Sequence, residues 1–209
     1  MKNYHYYTHD QSDLESNEQT FDYHFNDLVF RFTTDNGVFS KSTVDFGSMS
    51  LLKHFQPNDI PLDILDVGCG YGPIGIIVSK LYNKRVEMID VNERAIGLAN
   101  KNIEKNHVNA IAYFSDVFEN VGPKKFSSIL TNPPIRAGKD VVFKIYEGAY
   151  EHLEKDGELW VVIQKKQGAP SSKDHLTEIF GNCEIVKREK GYFILKCKKM
   201  CWHFTKIHI

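Results

Sequence analysis

The sequence contains no long run of apolar residues. A helix that spans a bilayer needs roughly 20 consecutive, mainly apolar residues, and no segment of the chain approaches that length. The first residues, MKNYHYYTHDQSD, are polar and aromatic and lack the apolar segment that is typical of a secretory signal. We therefore expect a cytoplasmic protein that makes no contact with a membrane.

Cysteine and excess charge are also scarce. The four cysteines among the 209 residues are too few and too scattered for a disulfide scaffold, so reduced thiols are expected. Cys197, Cys201 and His203 lie close together, but their spacing matches no common zinc motif, and we expect no metal site. The formal net charge is -1, so an RNA partner would have to bind a local cluster of lysine and arginine.

The chain does contain enough apolar residues for one substantial core, since 42% of its residues are hydrophobic. Near the amino terminus, TFDYHF and LVFRFTT flank Asn26-Asp27 and predict a β-hairpin. A short helix follows, with apolar residues from Met49 to Phe55. The pattern changes after PNDIP, and we divide the chain there into an N-terminal extension (residues 1–58) packed on a core (residues 59–209).

Short apolar strands alternate with helical segments beyond Leu62. Strands are predicted at DILDV, RVEMID, AIAYF, FSSILT and ELWVVI, which favours a parallel sheet with helices on both faces. The last two strands, CEIVK and YFILKCK, are joined only by Arg188-Glu189-Lys190-Gly191. A parallel crossover needs a dozen or more residues, so this connection must be an antiparallel hairpin. The sequence predicts a doubly wound α/β fold with seven strands, mostly parallel, and an antiparallel last strand.

Three local features of the core are predicted from residue type. Asn92 is expected to cap a helix over ERAIGLANKNIEKN, and Ser171 is expected to cap a helix that ends at Phe180. Asp156-Gly157 is expected to form a turn before the fifth core strand.

A glycine-rich turn follows the first core strand, in the segment Asp66-Val67-Gly68-Cys69-Gly70-Tyr71-Gly72. Glycines let the backbone turn sharply and approach a ligand closely, and a nucleotide-like ligand binds at this turn in doubly wound sheets. The segment from Gly70 to Gly75 also satisfies the dinucleotide pattern G-x-G-x-x-G, so a nicotinamide-dependent oxidoreductase is an alternative. Asp66 argues against it, because a carboxylate repels a pyrophosphate and attracts the cationic amino group and sulfonium of S-adenosylmethionine. We expect Asp66, Gly68, Gly70 and Gly72 to bind this cofactor.

An acidic residue, Asp90, ends the second core strand, 24 residues after Asp66. A carboxylate at this place can accept hydrogen bonds from both ribose hydroxyls of an adenosine. NAD and S-adenosylmethionine both contain that ribose. Asp90 therefore predicts adenosine binding without choosing between the two cofactors.

The segment Thr131-Asn132-Pro133-Pro134-Ile135 directly follows the fourth core strand. An amine conjugated to a purine ring is a poor nucleophile, and two acceptors can hold its hydrogens and aim its nitrogen at a methyl donor. The Asn132 side-chain oxygen and the Pro133 carbonyl suit this role, while the two prolines, Pro133 and Pro134, stiffen the loop. Fixed dipoles also stabilise the positive charge that grows on the nitrogen. The segment predicts an N-methyltransferase that needs no strong general base.

Basic residues follow two of these strands. Arg136 and Lys139 lie just beyond the Asn-Pro-Pro loop, and Lys165-Lys166 follows the fifth core strand. These four residues are expected to meet phosphates beside a flipped nucleotide. A solvated basic surface is the equally open alternative.

With these motifs, the chain resembles class I S-adenosylmethionine-dependent methyltransferases, and among them the small-domain group that contains the bacterial 16S ribosomal RNA guanine-N2 methyltransferases. The resemblance covers about residues 20 to 199 and is carried by GVFSKSTVDFGS (37–48), DVGCGYGPIG (66–75), IDVNERA (89–95), TNPPIRAGK (131–139) and KKQGA (165–169). It implies a Rossmann-like fold, S-adenosyl-L-methionine as cofactor, and methylation of guanine N2 in 16S ribosomal RNA or the small ribosomal subunit.

The resemblance also implies individual residue roles. Asp116 would accept a hydrogen bond from the adenine amino group, and Val117 would pack on the adenine ring. Families that methylate adenine or protein glutamine usually have an aromatic residue after Asn-Pro-Pro, where this chain has Ile135. That difference argues against adenine and makes Ile135 a candidate substrate contact.

Two other functions stay open at this point. One is a methyltransferase for a protein glutamine or a small-molecule amine, which the near-neutral charge permits. The other is a non-catalytic RNA-binding module that retains the fold, which the intact Asn-Pro-Pro disfavours. The oligomeric state and the role of residues 200–209 are not predicted.

Overall fold

Strands and helices alternate along most of the chain. The computed structural model describes residues 15–38, 40 and 43–200. The elements are β1 (Gln19–Phe25), β2 (Leu28–Thr34), α1 (Phe46–His54), β3 (Ile64–Val67), α2 (Pro73–Tyr82), β4 (Val86–Asp90), α3 (Glu93–Asn106), β5 (Ala110–Phe114), β6 (Phe126–Thr131), α4 (Lys139–His152), β7 (Leu153–Gln164), α5 (Ala169–Phe180), β8 (Glu184–Glu189) and β9 (Tyr192–Lys198), with short 3-10 helices at Ile135–Ala137 and Lys165–Gln167.

Seven of the strands form the central sheet, in the order β5-β4-β3-β6-β7-β9-β8. The first five strands in this order are parallel, and β9 is antiparallel to both of its neighbours. Lys190 and Gly191 join β8 to β9 with φ angles of 46° and 82°, as two-residue hairpin turns require. The predicted doubly wound, Rossmann-like α/β fold with an antiparallel last strand is confirmed, and so is the separate β1-β2 hairpin.

Helices bury both faces of the sheet. The apolar side chains of α1, α2 and α3 pack on one face together with the hairpin, and those of α4 and α5 pack on the other. Helix α1, which belongs to the predicted extension, thereby covers part of the same face as α2. The division into residues 1–58 and 59–209 stays a prediction, and both terminal segments extend outside the described residues.

The hairpin is attached to α3 by two asparagine side chains. Asn102 Oδ1 accepts a hydrogen bond from the Thr33 N–H at 2.7 Å, and its Nδ2 donates to the Thr33 carbonyl at 2.9 Å. Asn106, one helical turn later, forms the same pair with Arg31, with both distances at 2.9 Å. The two amides thus satisfy backbone groups of β2 that no neighbouring strand pairs with, which fixes the hairpin on the core.

Two of the local predictions are wrong. Asp156-Gly157 lies inside β7, where the pairing with β6 shifts register between Leu153 and Glu158 and Asp156 has a φ of 64°, so this segment is an irregularity within the strand and not a turn between elements. Helix α5 begins at Ala169 with Gly168 as its N-cap, because Pro170 is already suited to the first helical turn. Ser171 instead donates its hydroxyl hydrogen to the Gly168 carbonyl at 3.0 Å. The Asn92 cap of α3 is confirmed.

The described residues add two observations on membranes and metals. None of their helices is both long and apolar enough to cross a bilayer. They also contain no group of three or more His, Cys, Asp or Glu side chains placed to hold a metal ion. Cys201 and His203, which raised the metal question together with Cys197, lie outside the described part of the chain.

Candidate active site

A cavity of about 400 Å³ opens at the carboxyl ends of the parallel strands, a volume suited to a small organic ligand. Ten of the predicted site residues line it: Gly68, Gly70, Asp90, Asp116, Val117, Asn132, Pro133, Pro134, Ile135 and Arg136. Five do not form its wall: Asp66, Gly72, Lys139, Lys165 and Lys166. Residues far apart in the sequence meet here because parallel strands end at one edge of the sheet.

The glycine turn between β3 and α2 is hydrogen-bonded to β4. The backbone N–H groups of Gly68 and Cys69 both donate to the Ile89 carbonyl, at 2.9 and 3.0 Å. Gly70 has a φ of 57°, and a Cβ added to it would meet no atom of the described residues within 4 Å. The turn therefore faces open space at Gly70, where a ligand can approach the backbone closely.

Asp90 lies beside this turn and organises it. Its Oδ2 accepts from the Gly70 N–H at 2.8 Å and its Oδ1 from the Asn92 N–H at 2.9 Å. Burial raises the pKa of Asp90, although these backbone donors oppose the increase. An ionised carboxylate offers about four acceptor directions, so the group retains acceptor capacity for the ribose of an adenosine. The ribose role itself stays a prediction.

Asp66 is buried behind the turn. Its Oδ2 accepts from the Gly75 N–H at 2.9 Å, while its Oδ1 has no hydrogen-bond partner among the described residues. Burial raises the pKa of Asp66 to about 7 against the Gly75 hydrogen bond, and the nearby Asp90 carboxylate adds to the increase. Any attraction that Asp66 exerts on a cationic ligand would act through space. Gly72, with a φ of 91°, is the N-cap of α2 and likewise lies behind the wall.

Asp116 and Val117 follow β5 and border the cavity next to Asp90. The Ser115 N–H donates to the Asp90 carbonyl at 3.0 Å, which fixes the start of this loop. Val117 has a φ of 49°, a left-handed conformation that is unfavourable for a β-branched residue. Such strain is typically retained at functional sites, which agrees with the adenine contact predicted for the pair. That contact stays a prediction.

The Asn-Pro-Pro loop forms another part of the cavity wall. Thr131 Oγ1 donates to the Val67 carbonyl at 2.8 Å and joins the loop's origin to β3. Asn132 Nδ2 donates to Ser48 Oγ at 3.1 Å and contacts the Asp45 carboxylate at 3.3 and 3.4 Å. In the described part of the chain no donor reaches Asn132 Oδ1. The Pro133 carbonyl accepts from the Ile135 N–H at 2.9 Å and keeps a second acceptor direction.

Of the four predicted basic residues, only Arg136 lines the cavity, and Lys165 and Lys166 lie between the lining residues Gln164 and Gln167. Arg136 is exposed at its wall, and Lys139 places its ammonium 4.8 Å from the centre of the Phe143 ring. Lys165 and Lys166 are exposed in the 3-10 helix after β7. The Lys165 N–H donates to the Gly191 carbonyl at 2.8 Å, which joins this helix to the β8-β9 turn.

Several cavity residues were not predicted as site residues: Asp45, Ser48, Gln164, Gln167 and Tyr192. Their positions depend on tertiary packing, since Asp45 and Asn132 are 87 residues apart. The segment GVFSKSTVDFGS contains Asp45 and Ser48 and supports the family resemblance, but it predicts no role for either residue. The one local signal was an aspartate directly before a helix, which indicates an N-cap and no more.

Together, the fold and this site define a class I S-adenosylmethionine-dependent methyltransferase. The sheet has the predicted topology, and one cavity is lined by an open glycine turn, an acidic strand end and an Asn-Pro-Pro loop. The chain belongs to the methyltransferase small domain family, whose model matches residues 29–196. The predicted family resemblance and cofactor are thus confirmed, and the oxidoreductase alternative is not supported.

Individual relatives are consistent with this assignment. The chain is 51% identical over 199 residues to "Uncharacterized protein YbxB" of Bacillus subtilis (strain 168), covering 94% of this chain and 98% of that protein. It is 30% identical over 183 residues to "Ribosomal RNA small subunit methyltransferase C" of Vibrio cholerae, covering 85% of this chain and 52% of the relative. A solved T. thermophilus 16S rRNA N2 methyltransferase (RsmC), in complex with AdoMet and guanosine, superposes with a TM-score of 0.79 at 27% identity, covering 89% of this chain and 52% of that one. The chain thus spans about half the length of the two ribosomal RNA methyltransferases.

Proposed function

We propose that this protein transfers the methyl group of S-adenosylmethionine to the exocyclic amino group N2 of guanine in 16S ribosomal RNA, in the cytoplasm. The observation that carries the proposal is the position of Asn132. Its side chain lines the same cavity as Gly68, Gly70 and Asp90, with its amide nitrogen held by Ser48 and its amide oxygen not engaged by any described donor.

The cavity residues are assigned to three parts of the reaction: the adenosine, the acceptor amine and the base. Asp90, Asp116 and Val117 are assigned to the adenosine, and S-adenosylmethionine would supply an electrophilic methyl group from its sulfonium. S-adenosylhomocysteine would be the leaving group, and the methylated amine would release one proton to solvent. Asn132 Oδ1 and the Pro133 carbonyl each accept one hydrogen of the acceptor amine, which aims the nitrogen at the methyl group. Two fixed carbonyl dipoles also stabilise the positive charge that develops on that nitrogen. Ile135 gives the base an apolar contact without aromatic stacking.

The names of two relatives support guanine in ribosomal RNA. The V. cholerae relative is a small-subunit ribosomal RNA methyltransferase, and the T. thermophilus enzyme was solved with guanosine. Their matching regions include most of this chain but only half of each relative. We assign RNA contact to the exposed residues Arg136, Lys139, Lys165 and Lys166, which could meet phosphates beside a flipped nucleotide.

The experiment is transfer of a tritiated methyl group from S-adenosylmethionine. The acceptors are naked 16S RNA and 30S subunits isolated from cells that lack this protein's gene, with 23S RNA, 50S subunits, total protein and free guanosine run in parallel. The labelled nucleoside is then identified by digestion and chromatography. We expect label in N2-methylguanosine from the 16S RNA or the 30S subunit.

Other acceptors would correct the proposal in defined ways. Label confined to the 50S subunit would change the substrate and retain the chemistry. Label in protein would support the glutamine alternative, and label in adenosine would refute the reasoning from Ile135. A protein that binds S-adenosylhomocysteine yet labels no acceptor would support the non-catalytic RNA-binding alternative.

A further inference from the structure

The N-cap of helix α1 contacts the catalytic loop. Asp45 Oδ1 accepts hydrogen bonds from the N–H groups of Gly47 and Ser48, at 2.9 and 3.1 Å, and so caps the helix. The same carboxylate lies 3.3 and 3.4 Å from Asn132 Nδ2, and Ser48 Oγ lies 3.1 Å from it. All three side chains line the cavity.

This contact determines which way the Asn132 amide faces. A side-chain amide can rotate by 180° and exchange its donor and acceptor ends, and only one orientation offers an acceptor to an incoming amine. An ionised carboxylate can only accept hydrogen bonds. Asp45 therefore favours Nδ2 on its own side, because the reverse orientation would place the amide oxygen against a negative charge.

We propose that Asp45, assisted by Ser48, is a positioning residue that holds Asn132 with its oxygen toward the acceptor amine. The proposal rests on the proposed function only in using Asn132 as the acceptor of amine hydrogens. It gives the N-terminal segment a part in positioning Asn132, although the glycine turn, Asp90 and Asn132 all belong to the region after residue 58.

Two small residues at the start of α1, Gly47 and Ser48, permit this contact. Gly47 lies two residues after the N-cap Asp45. A Cβ on Gly47 would lie 2.9 Å from the ring of Tyr192, which also lines the cavity. Glycine thus lets the first turn of α1 approach β9. Ser48 is buried, with a relative exposure of 3%, so its hydroxyl is held beside Asn132 and is not free to turn toward solvent.

The test compares variants that preserve the cap but change the contact. Asparagine and serine are as effective as aspartate at N-caps, so Asp45→Asn and Asp45→Ser should leave the thermal unfolding midpoint nearly unchanged. The asparagine introduced by the first variant can donate a hydrogen bond to a reversed Asn132 amide, whereas the serine introduced by the second is too short to reach it. We expect Asp45→Asn to lower kcat by roughly 10-fold to 100-fold and Asp45→Ser by less. The KM for S-adenosylmethionine should not change in either.

Two further variants complete the comparison. Ser48→Ala removes the second partner of Asn132 and should lower kcat by a smaller factor than Asp45→Asn. Asp59→Asn makes the same change of charge at an exposed position outside the cavity and should leave kcat unchanged. A kcat of Asp45→Asn equal to that of the wild type, at equal stability, would overturn the proposal, because it would leave Asp45 as a helix cap alone.

A second measurement does not depend on the substrate. The side-chain amide protons of Asn132, assigned by their disappearance in Asn132→Ala, should exchange with solvent more slowly in the wild type than in Asp45→Ser. Equal exchange rates in the two proteins would overturn the positioning role even if the wild type methylates RNA. A wild type that methylates no RNA but shows the slow exchange would refute the proposed substrate and leave the positioning role supported.

Discussion

Among single residues, Asp66 is unusual because its carboxyl group is buried with one oxygen unpaired among the described residues. Its pKa of about 7 in the folded protein lies above the value of 3.8 for the free group. An acid whose pKa is raised by folding favours the folded state when it is protonated. This contribution to stability is complete at pH values below the pKa of the group in the unfolded chain. This contribution is lost as the pH rises through the folded value. The stability of the cofactor-free protein should therefore decline between about pH 4 and pH 7 on account of Asp66.

Asp66→Asn isolates this effect, because asparagine resembles the protonated acid and does not titrate. The unfolding free energy of the variant minus that of the wild type should be larger at pH 8 than at pH 5, by roughly 2 kcal/mol. Urea denaturation of both proteins at the two pH values measures this change. A difference between variant and wild type that is the same at pH 5 and pH 8 would show that Asp66 does not titrate in this range.

Asn132 and Asp90 should separate catalysis from cofactor binding. Asn132→Ala should abolish methyl transfer and leave the affinity for S-adenosylhomocysteine nearly intact, because the residue is assigned to the acceptor amine. Asp90→Ala should weaken that affinity by about 10-fold or more, since it removes ribose acceptors and the hydrogen bond from Gly70. Calorimetry and the transfer assay measure the two effects. Full turnover by Asn132→Ala, or unchanged affinity in Asp90→Ala, would contradict the corresponding role.

Sequence alone predicted that Asn132 and Asp90 lie at the candidate site, because Asp90 ends a buried strand and Asn132 directly follows one. It did not identify Asp45 or Ser48, because their relation to Asn132 arises only when α1 packs beside the loop that follows β6. Asp66 was predicted as a ligand contact from its place in the motif. Its burial behind the glycine turn depends on how α2 packs on β3, which no local pattern encodes.

At the scale of elements, helix α2 packs on β4 through a glycine. A Cβ on Gly75 would lie 2.6 Å from Met88 Cγ, so Gly75→Ala forces the buried Met88 side chain to move. We expect this variant to lose about 1–3 kcal/mol of unfolding free energy. Gly97 in α3 is the matched control, because a Cβ there meets no atom within 4 Å, and Gly97→Ala should gain about 0.5–1 kcal/mol. Denaturant unfolding of both measures this, and equal effects would contradict the packing account.

Most elements could be predicted from the sequence because their periodicity and boundaries agree. RVEMID and ERAIGLANKNIEKN became β4 and α3 within a residue of their predicted limits. The irregularity in β7 could not be predicted, since Asp-Gly usually indicates a turn between elements. The backbone is close-packed at Gly157, where a Cβ would lie 2.9 Å from the Glu154 carbonyl oxygen and 3.0 Å from that of Ser127.

At the scale of the whole molecule, exposed lysines lie at both ends of the parallel strands. Lys165 and Lys166 follow the carboxyl end of β7, whereas Lys125 and Lys155 lie near the amino ends of β6 and β7. Lys165→Ala/Lys166→Ala should weaken RNA binding and reduce the slope of log affinity against log salt by about 1 to 2, with cofactor affinity unchanged. Lys125→Ala/Lys155→Ala removes the same charge near the amino ends of β6 and β7, away from the cavity, and should alter neither quantity. Filter binding at several salt concentrations measures both slopes. Equal slopes for the two double variants would place RNA elsewhere.

The sheet topology followed from the sequence because short connections restrict the choices, as the Lys190-Gly191 turn does for β9. The position of the N-terminal segment did not follow from it. Asn102 and Asn106 read as ordinary polar residues of a helix, and only the structure pairs their amides with the backbone of β2.

The most direct test of the central claim is a crystal structure of the protein with S-adenosylhomocysteine and guanosine. The quantity to measure is the distance from Asn132 Oδ1 to guanine N2. We expect about 2.7–3.2 Å, with the Pro133 carbonyl as the second acceptor of the same amine. A guanine bound with N2 away from Asn132, or a cofactor bound outside the cavity beside Gly70 and Asp90, would contradict the account.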